Sequence, residues 1–187
     1  MTDLKDTKLL VRAIEFAARK HRMQRRKDVE ASPYINHPIA LMSVLCVDAG
    51  IDDVNVLAAA ALHDTVEDTE TTFAELKQEF GAKIAGFVSE LTDDKTFPKA
   101  ERKRLQIEHA HTMSAEAGLV KFADKICNIR DVGNNPPAGW NESRRREYFE
   151  WAKTVVDGLQ HPNRKLRKLF DEAFEQGLAA ATNTEER

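Results

Sequence analysis

Four ionisable side chains directly follow the most apolar stretch of the chain, and they are the residues best suited to chemistry. The segment from Val56 to Leu62 is uninterrupted apolar sequence, and His63, Asp64, Glu67 and Asp68 come next. Like charges this close together destabilise a fold unless a cation or another partner group offsets them. Imidazole and carboxylate groups are also common metal ligands and general acids or bases. The sequence therefore predicts a functional site here.

The spacing of these four residues allows them to meet on one face of a helix. At about 100° per residue, they share less than half of the helical circumference. A polar helix end, with Asp68 beginning a turn, would explain His63 and Asp64 by themselves. The interpretation as a site therefore depends on Glu67 and Asp68 lying on the same side as this pair.

Two other segments carry polar groups that could join the site. His37 precedes Pro38, which fixes the local backbone and favours a helix start, so the imidazole sits at a helix mouth. Asp124 and Asn128 are four residues apart and lie opposite an apolar helical stripe. Spacing alone is equally consistent with a solvated face at Asp124 and Asn128, and with a surface hydrogen bond at His37.

A divalent metal would suit the imidazoles and carboxylates of these three segments. The set His37, His63, Asp64 and Asp124 contains no cysteine, which excludes a thiolate-selective site and leaves Mn²⁺, Fe²⁺ and Zn²⁺ open. The two remaining carboxylates of the cluster would then be free for acid–base work on a water molecule.

Size and composition indicate an ordinary globular protein. The chain has 187 residues, 42% hydrophobic and 32% charged content, and a net charge of −3, so nothing favours nucleic acid or an anionic membrane as a partner. No apolar run approaches the roughly 20 residues of a membrane span, and the start of the sequence lacks a signal-peptide pattern. The isolated Cys46 and Cys127 indicate reduced thiols and a cytoplasmic location.

The elements that must position these groups all have helical periodicity. Apolar residues recur at three- and four-residue spacing in most segments, and no strand pattern of useful length is present. Asp52 or Asp53, and Thr72 with Glu75, have the spacing of helix N-caps. We therefore predict an all-α, single-domain helical bundle over residues 1–178, with a frayed tail at 179–187.

Longer motifs surround these residues and identify a resemblance. The run HDTVEDT, with YINHP before it and KFADKICNIRD after it, is similar to the hydrolase domain of the bifunctional alarmone synthetase/hydrolases. The segments FAARKHRMQRRKD, TDDKTFPKAERKRLQ, GWNESRRREYFEWA and GLQHPNRKL extend the resemblance over nearly the whole chain. They point to the small hydrolase-only branch of the HD-domain phosphohydrolases, the MESH1-like or metazoan SpoT-homologue type.

The resemblance implies a helical HD fold and a Mn²⁺-dependent 3′-pyrophosphohydrolase that converts guanosine tetra- and pentaphosphate to GDP or GTP and pyrophosphate. Carried over by motif, the metal ligands are His37, His63, Asp64 and Asp124. Glu67 and Asp68 would position and deprotonate the attacking water, and Asn128 would contact the nucleotide sugar. Phe122 and Cys127 depart mildly from the family pattern, and neither is one of these residues.

A polyanionic substrate requires local positive charge in a net-acidic chain. The run KHRMQRRKD supplies it shortly before His37, and the resemblance selects Arg26 and Lys27 as phosphate contacts. Lys99, from a second basic stretch, and Tyr148, within GWNESRRREYFEWA, complete the predicted substrate-binding residues. A solvated charged face is the alternative for both basic stretches.

Other functions remain open from the sequence. A nucleotidase or a cyclic-dinucleotide phosphodiesterase would use the same metal set with another pocket, and the Arg26/Lys27 run and the YINHP segment disfavour both. Within the resemblance, an adenine alarmone or the 2′-phosphate of NADPH could be the substrate. A catalytically dead nucleotide-binding module is disfavoured because every proposed site residue is present. The chain is too short for an added synthetase domain, and the oligomeric state is not encoded in any recognisable pattern.

Overall fold

The protein is a bundle of α-helices, as the periodicity predicts. The computed structural model describes residues 3–161 and 163–182, and within these ranges no strand forms beyond an isolated bridge between Arg25 and Pro33. The α-helices, in chain order, are α1 (Leu4–Lys20), α2 (Asn36–Ser43), α3 (Val54–Leu62), α4 (Thr65–Asp68), α5 (Phe73–Leu91), α6 (Lys99–Ala110), α7 (Ala115–Asn134), α8 (Glu142–Asp157) and α9 (Arg164–Thr182).

Helix α3 is the small-residue centre of one half of the bundle. Its residues from Val56 to Leu62 are all buried, and the four consecutive alanines Ala58 to Ala61 are at most 1% exposed. Short side chains let α1, α2, α5 and α7 approach the α3 backbone closely. Asp53 caps the helix by accepting a hydrogen bond from the Asn55 N–H, which confirms one of the two predicted caps.

The helix does not continue through the ionisable cluster, so the assumption of one uninterrupted helix was wrong. Helix α3 ends at Leu62, and Asp64 has φ −96° and ψ −1°, near the bridge region between helix and strand conformations. The Thr65 hydroxyl donates to the Leu62 carbonyl and satisfies a group that the break would otherwise leave unpaired. The short helix α4 (Thr65–Asp68) follows.

Helix α7 runs through the core and packs against α2, α3, α5, α8 and α9. Its contact with α9 requires glycine on both helices. A Cβ placed on Gly177 would lie 3.1 Å from Cζ of Phe149, and one on Gly133 would lie 3.2 Å from the Gly177 Cα. Because α7 is covered on several sides, Asp124 is only 9% exposed. The side of α7 that carries Asp124, for which a solvated face was the alternative, therefore faces the interior.

The connections depart from simple helical periodicity in two places. Helix α1 ends at Lys20, and the basic run from His21 to Asp28 forms turns instead of extending the helix. After α2, the residues Val44–Asp48 form a π-helical turn, which the sequence pattern did not indicate. Thr72 caps α5 by accepting from the Glu75 N–H, as predicted, and Gly81 (φ 86°) kinks that helix.

The final helix extends past the predicted domain end. Residues 179–182 belong to α9, where Ala181 is fully buried, while residues 183–187 of the predicted tail lie outside the described residues. The boundary at residue 178 therefore stays a prediction. Within the described ranges, no helix combines the length and apolar character needed to cross a bilayer.

Candidate active site

Three predicted metal ligands converge at the centre of the bundle. His37 on α2, His63 at the end of α3 and Asp124 on α7 each offer one ligand atom, and these atoms lie within 4.8 Å of one another. The fourth predicted ligand, Asp64, is adjacent to this group, with its Oδ2 2.9 Å from the His63 Nε2. Three separate helices thus bring together the residues that were predicted from separate segments.

The imidazole nitrogens are arranged as a metal site requires. The His63 Nδ1 donates to the Ala60 carbonyl at 2.9 Å, so this tautomer leaves Nε2 directed into the site. The His63 Nε2 is buried beside Asp64 Oδ2 without a well-formed hydrogen bond among the described residues, and the His37 Nε2 lies 3.3 Å from Asp124 Oδ1. Unpaired buried nitrogen beside buried carboxylates fits a divalent cation.

The charges of these groups are strongly coupled in the metal-free protein. Burial lowers the pKa of the His63 imidazole, but the Asp64 carboxylate outweighs burial and raises it to about 9. Burial raises the pKa of Asp124, but the Lys125 ammonium and His37 outweigh it and hold this pKa well below its usual range. Metal binding requires neutral imidazole, so a bound cation would take over the role of the His63 proton.

Glu67 and Asp68 lie beside this group on α4 and differ in environment. Burial and the Asp64 charge raise the pKa of Glu67 to about 7, although the Asp93 N–H donates to its Oε2 at 3.0 Å. Asp68 is held at both oxygens, by Gln24 Nε2 at Oδ2 and by the Lys95 ammonium at Oδ1. A carboxyl group with a pKa near neutrality is suited to proton transfer.

All six residues predicted to bind metal or act in catalysis line a cavity of about 180 Å³. A second cavity of about 390 Å³ borders it, and the two share Arg26, Tyr34, Asp68 and Asn128. The larger cavity is lined by all five residues predicted to bind substrate, which are Arg26, Lys27, Asn128, Lys99 and Tyr148. The smaller one is hereafter the metal cavity and the larger one the nucleotide cavity.

The two basic residues of the RRK run have different surroundings. Arg26 donates to Asp131 Oδ2 at 2.5 Å and to Asn128 Oδ1 at 3.2 Å, and its guanidinium lies 5.7 Å from the Tyr34 ring centroid. Lys27 has no ion-pair partner in the described part of the chain and lines the nucleotide cavity. Arg26 therefore supports the wall of the cavity, while Lys27 has an ammonium group free for an anion.

Aromatic and cationic groups form the outer wall of the nucleotide cavity. The Lys99 ammonium lies 5.9 Å and the Arg144 guanidinium 4.7 Å from the Trp140 ring centroid. Burial together with the positive charges of Arg144 and Lys27 lowers the pKa of Lys99. A flat aromatic surface beside unpaired cations can bind both the ring and the phosphates of a nucleotide.

Several residues of the site were not assigned a role from the sequence. The Tyr34 hydroxyl donates to Asp64 Oδ2 at 2.5 Å, and the Lys125 ammonium donates to Asp124 Oδ2 at 3.0 Å. Asn128 donates to the other Asp124 oxygen at 2.5 Å. The only available signals were the place of Tyr34 inside YINHP and the direct adjacency of Lys125 to Asp124.

Known proteins are similar to this chain along most of its length. Residues 13–150 match a family model described as an HD domain. The human guanosine-3′,5′-bis(diphosphate) 3′-pyrophosphohydrolase MESH1 is 56% identical over 89% of this chain and 93% of its own length, and the Drosophila melanogaster protein of the same name is 50% identical over 87% and 91%. The GTP pyrophosphokinase rsh of Brucella melitensis is 35% identical over 67% of this chain but only 17% of its own length.

A solved structure gives the same result for the fold. A metazoan ortholog of SpoT, described as hydrolyzing ppGpp, superposes with a TM-score of 0.87 at 49% identity and covers 91% of this chain and 96% of its own. The family model spans more than half of the sequence, and the relatives match along most of their length. The chain therefore belongs to the HD-domain family, within the group of the MESH1 proteins.

Proposed function

We propose that the protein hydrolyses guanosine 3′,5′-bis(diphosphate) and its 5′-triphosphate analogue to pyrophosphate and GDP or GTP. The observation that carries this proposal is that the cationic, aromatic nucleotide cavity adjoins the metal cavity and shares four lining residues with it. A nucleotide held by its base and phosphates in the first would present a phosphorylated ribose to the second. The relatives named for this activity cover almost the whole chain, which supports the same reaction.

The metal in this proposal is Mn²⁺, held by His37, His63, Asp64 and Asp124. Two imidazoles and two carboxylates form a ligand set of intermediate hardness, which suits Mn²⁺ better than a thiolate site would. When bound, the ion supplies Lewis-acid chemistry, since it acidifies water and neutralises charge on phosphoryl oxygens. Tyr34 and Lys125 orient the two ligand carboxylates through the hydrogen bonds described above.

Glu67 is the general base of the proposed reaction. Its pKa of about 7 allows the carboxylate both to accept a proton from water and to release it again at neutral pH. The water oxygen forms a bond to the phosphorus that is attached to the ribose 3′-oxygen, and the bond between that phosphorus and the 3′-oxygen breaks. The 3′-oxygen gains one proton and the water loses one, so the step balances. Asp68, held at both of its oxygens, orients the water.

Substrate contacts come from the residues around the nucleotide cavity. Lys27 and Lys99 neutralise phosphate charge, Tyr148 borders the base or sugar, and Asn128 contacts the ribose beside Asp124. Arg26 contributes charge while it is fixed by Asp131. We also propose a cytoplasmic location, which the free thiols of Cys46 and Cys127 support.

The test is a comparison of nucleotide substrates with Mn²⁺-loaded protein. Guanosine tetraphosphate, its adenine counterpart and NADPH are incubated separately, and pyrophosphate and orthophosphate are quantified. The proposal expects stoichiometric pyrophosphate from guanosine tetraphosphate, with the highest kcat/KM of the three. If orthophosphate from NADPH were the dominant product, NADPH would be the substrate in place of the alarmone. If no nucleotide gave any product, hydrolysis would be refuted.

A further inference from the structure

The side chain of Gln24 connects the proposed catalytic carboxylate Asp68 to a buried histidine. Its Nε2 donates to Asp68 Oδ2 at 2.8 Å, and its Oε1 lies 2.6 Å from the His21 Nδ1. Gln24 is half-buried at the edge of the nucleotide cavity, in the turn that follows α1. His21 has had no role so far, and Gln24 has appeared only as one of the two partners of Asp68.

The donors and acceptors of this chain can be arranged in only one direction. An ionised carboxylate only accepts hydrogen bonds, so the amide nitrogen of Gln24 must face Asp68 and its oxygen must face His21. That oxygen needs a donor, so the Nδ1 of His21 carries the hydrogen. His21 therefore prevents the Gln24 amide from turning its oxygen towards Asp68, where two acceptors would repel each other.

His21 is fixed so that it can do little else. Its side chain is buried, with the residue 2% exposed, and its Nε2 has no hydrogen-bond partner in the described ranges. The ring packs on Tyr34, with centroids 4.8 Å apart and planes at 31°. Tyr34 in turn donates to the proposed ligand Asp64. The one hydrogen bond that the His21 ring makes is thus directed at the amide that holds Asp68.

The other partner of Asp68 is less constrained. Lys95 contacts Oδ1, but its side chain is 49% exposed, so the ammonium is solvated and its long stem keeps its freedom. Gln24 is therefore the partner that sets the orientation of the carboxylate, while Lys95 mainly adds charge.

We propose that Gln24 and His21 are positioning residues for the reaction, because they fix the rotamer of Asp68 that orients the attacking water. The inference rests on the proposed hydrolysis and adds two residues to its machinery. Neither residue touches the reacting atoms in this proposal, and both act through Asp68. Residues that orient reacting groups in this way commonly change rates by about 10–100-fold when they are removed.

The variant Gln24→Leu tests this with little disturbance to the backbone. The turn is held by main-chain hydrogen bonds, from Tyr34 N to Gln24 O and from Arg26 N to Ser32 O, which a side-chain change leaves in place. The inference expects kcat to fall about 10–100-fold, with KM changed less than about twofold and the metal content unchanged. Gln78→Leu, the same replacement at an exposed position on α5, is the matched control and should match the parent.

His21→Phe provides a second variant that keeps the ring stacked on Tyr34 but removes the donor. It should lower kcat in the same way without changing KM, because His21 does not line the nucleotide cavity. The exposed His109→Phe is its control. A rise in KM at unchanged kcat in Gln24→Leu, with His21→Phe unaffected, would instead make Gln24 a substrate contact and overturn the inference.

A double-mutant cycle with Asp68 distinguishes positioning from a general structural role. In the Asp68→Asn background, Gln24→Leu should cause little further loss of kcat, because its effect passes through the missing carboxylate. Losses that multiply independently, or a fall in Tm that accounts for the lost activity, would overturn the inference.

A crystal structure of Gln24→Leu gives a readout that does not depend on activity. The Asp68 carboxylate should rotate away from its orientation in the parent, while the Cα positions of α4 stay in place. An unchanged carboxylate would refute the positioning role even if hydrolysis is established. If the parent cleaves none of the nucleotides, the proposed function fails separately, and this structural comparison still decides whether Gln24 positions Asp68.

Discussion

The metal cavity and the nucleotide cavity hold their charged groups in opposite ways. In the metal cavity every carboxylate has an internal partner, such as Tyr34 for Asp64 and Lys125 for Asp124. In the nucleotide cavity Lys27 and Lys99 have no ion-pair partner among the described residues, and burial together with the positive charges of Arg144 and Lys27 lowers the pKa of Lys99. The first cavity is organised before anything binds, while the second has cations whose repulsion an anionic ligand would relieve.

The supporting elements differ in the same way. The metal cavity is built from α2, the end of α3, α4 and α7, whereas the nucleotide cavity draws on the turn after α1, the start of α6, α7 and the region of Trp140 and Tyr148. Substitutions in the metal cavity should therefore affect metal binding and chemistry, and substitutions of the cations in the nucleotide cavity should affect affinity. Four predictions test this division, from the largest expected effect to the smallest.

Removal of a metal ligand should have the largest effect. His63→Ala deletes a buried side chain that is proposed to bind the metal, so both the metal and the activity should be lost. Elemental analysis of purified protein and a pyrophosphate-release assay measure the two outcomes. His109→Ala, on the surface of α6, should keep one ion per chain and full activity. A metal content equal to the parent in His63→Ala would place the ion elsewhere.

Replacement of Glu67, the proposed general base, should lower kcat without changing the metal content. Glu67→Gln keeps the shape of the side chain but cannot accept a proton, so kcat should fall by roughly 10²–10⁴-fold while the metal stays bound. The exposed Glu175→Gln on α9 is the control and should leave kcat unchanged. Parent-like activity in Glu67→Gln at saturating metal would assign the proton transfer to another group.

The nucleotide cavity should respond through affinity. Lys27→Ala should weaken substrate binding by about 1.5–3 kcal/mol with Tm unchanged, because Lys27 forms no ion pair with any of the described residues. Arg26→Ala should weaken binding and also lower Tm, since it breaks contacts with Asp131, Asn128 and Tyr34. Lys77→Ala on the exposed face of α5 controls for the loss of a positive charge. Equal stability of the Arg26 and Lys27 variants would contradict the difference between the two residues.

The smallest effect concerns the stability of the metal-free protein. The pKa of Glu67 is about 7 in the folded state and near its usual 4.5 when unfolded, so folding favours the protonated form. The stabilisation is complete below about pH 4.5 and is lost as the pH rises through 7. Metal-free Glu67→Gln should therefore match the parent at pH 4.5 and exceed its free energy of unfolding by about 1–3 kcal/mol at pH 8. Urea unfolding at both pH values measures the difference. Identical curves at pH 8 would show that ionised Glu67 does not destabilise the folded protein.

Periodicity and capping were sufficient for most of the fold. The apolar spacing located the helices, and the caps at Asp53 and Thr72 follow from a local hydrogen bond between a side chain and a nearby N–H. Residues from three distant segments, represented by His37, His63 and Asp124, could be grouped because few side-chain types bind divalent ions. The metal identity and the roles of these residues stay predictions.

The remaining features depend on tertiary packing, which local patterns do not contain. The break at Asp64 replaces the regular helix that its neighbours favour, and Glu67 and Asp68 of α4 line the metal cavity after it. Asp124 faces inward because several helices cover α7, although a helical wheel gives it a polar side open to either interpretation. Gln24 and Tyr34 lie in a turn whose path is set by long-range contacts, so sequence spacing gave no reason to connect Gln24 with Asp68.

The run of alanines in α3 has a consequence for how the family can change in evolution. Alanine has no side-chain rotamers, so positions 58–61 cannot absorb a larger neighbour by repacking. An added hydroxyl group, as in Ala59→Ser, or two added methyl groups, as in Ala59→Val, would have to be accommodated by a shift of the helix axis itself. Because His63 directly follows that helix, the shift would move the imidazole as well. Substitutions that hardly change composition or charge would thus impair the reaction and be removed by selection. This stretch should therefore change more slowly in evolution than an equally buried stretch of leucine and valine.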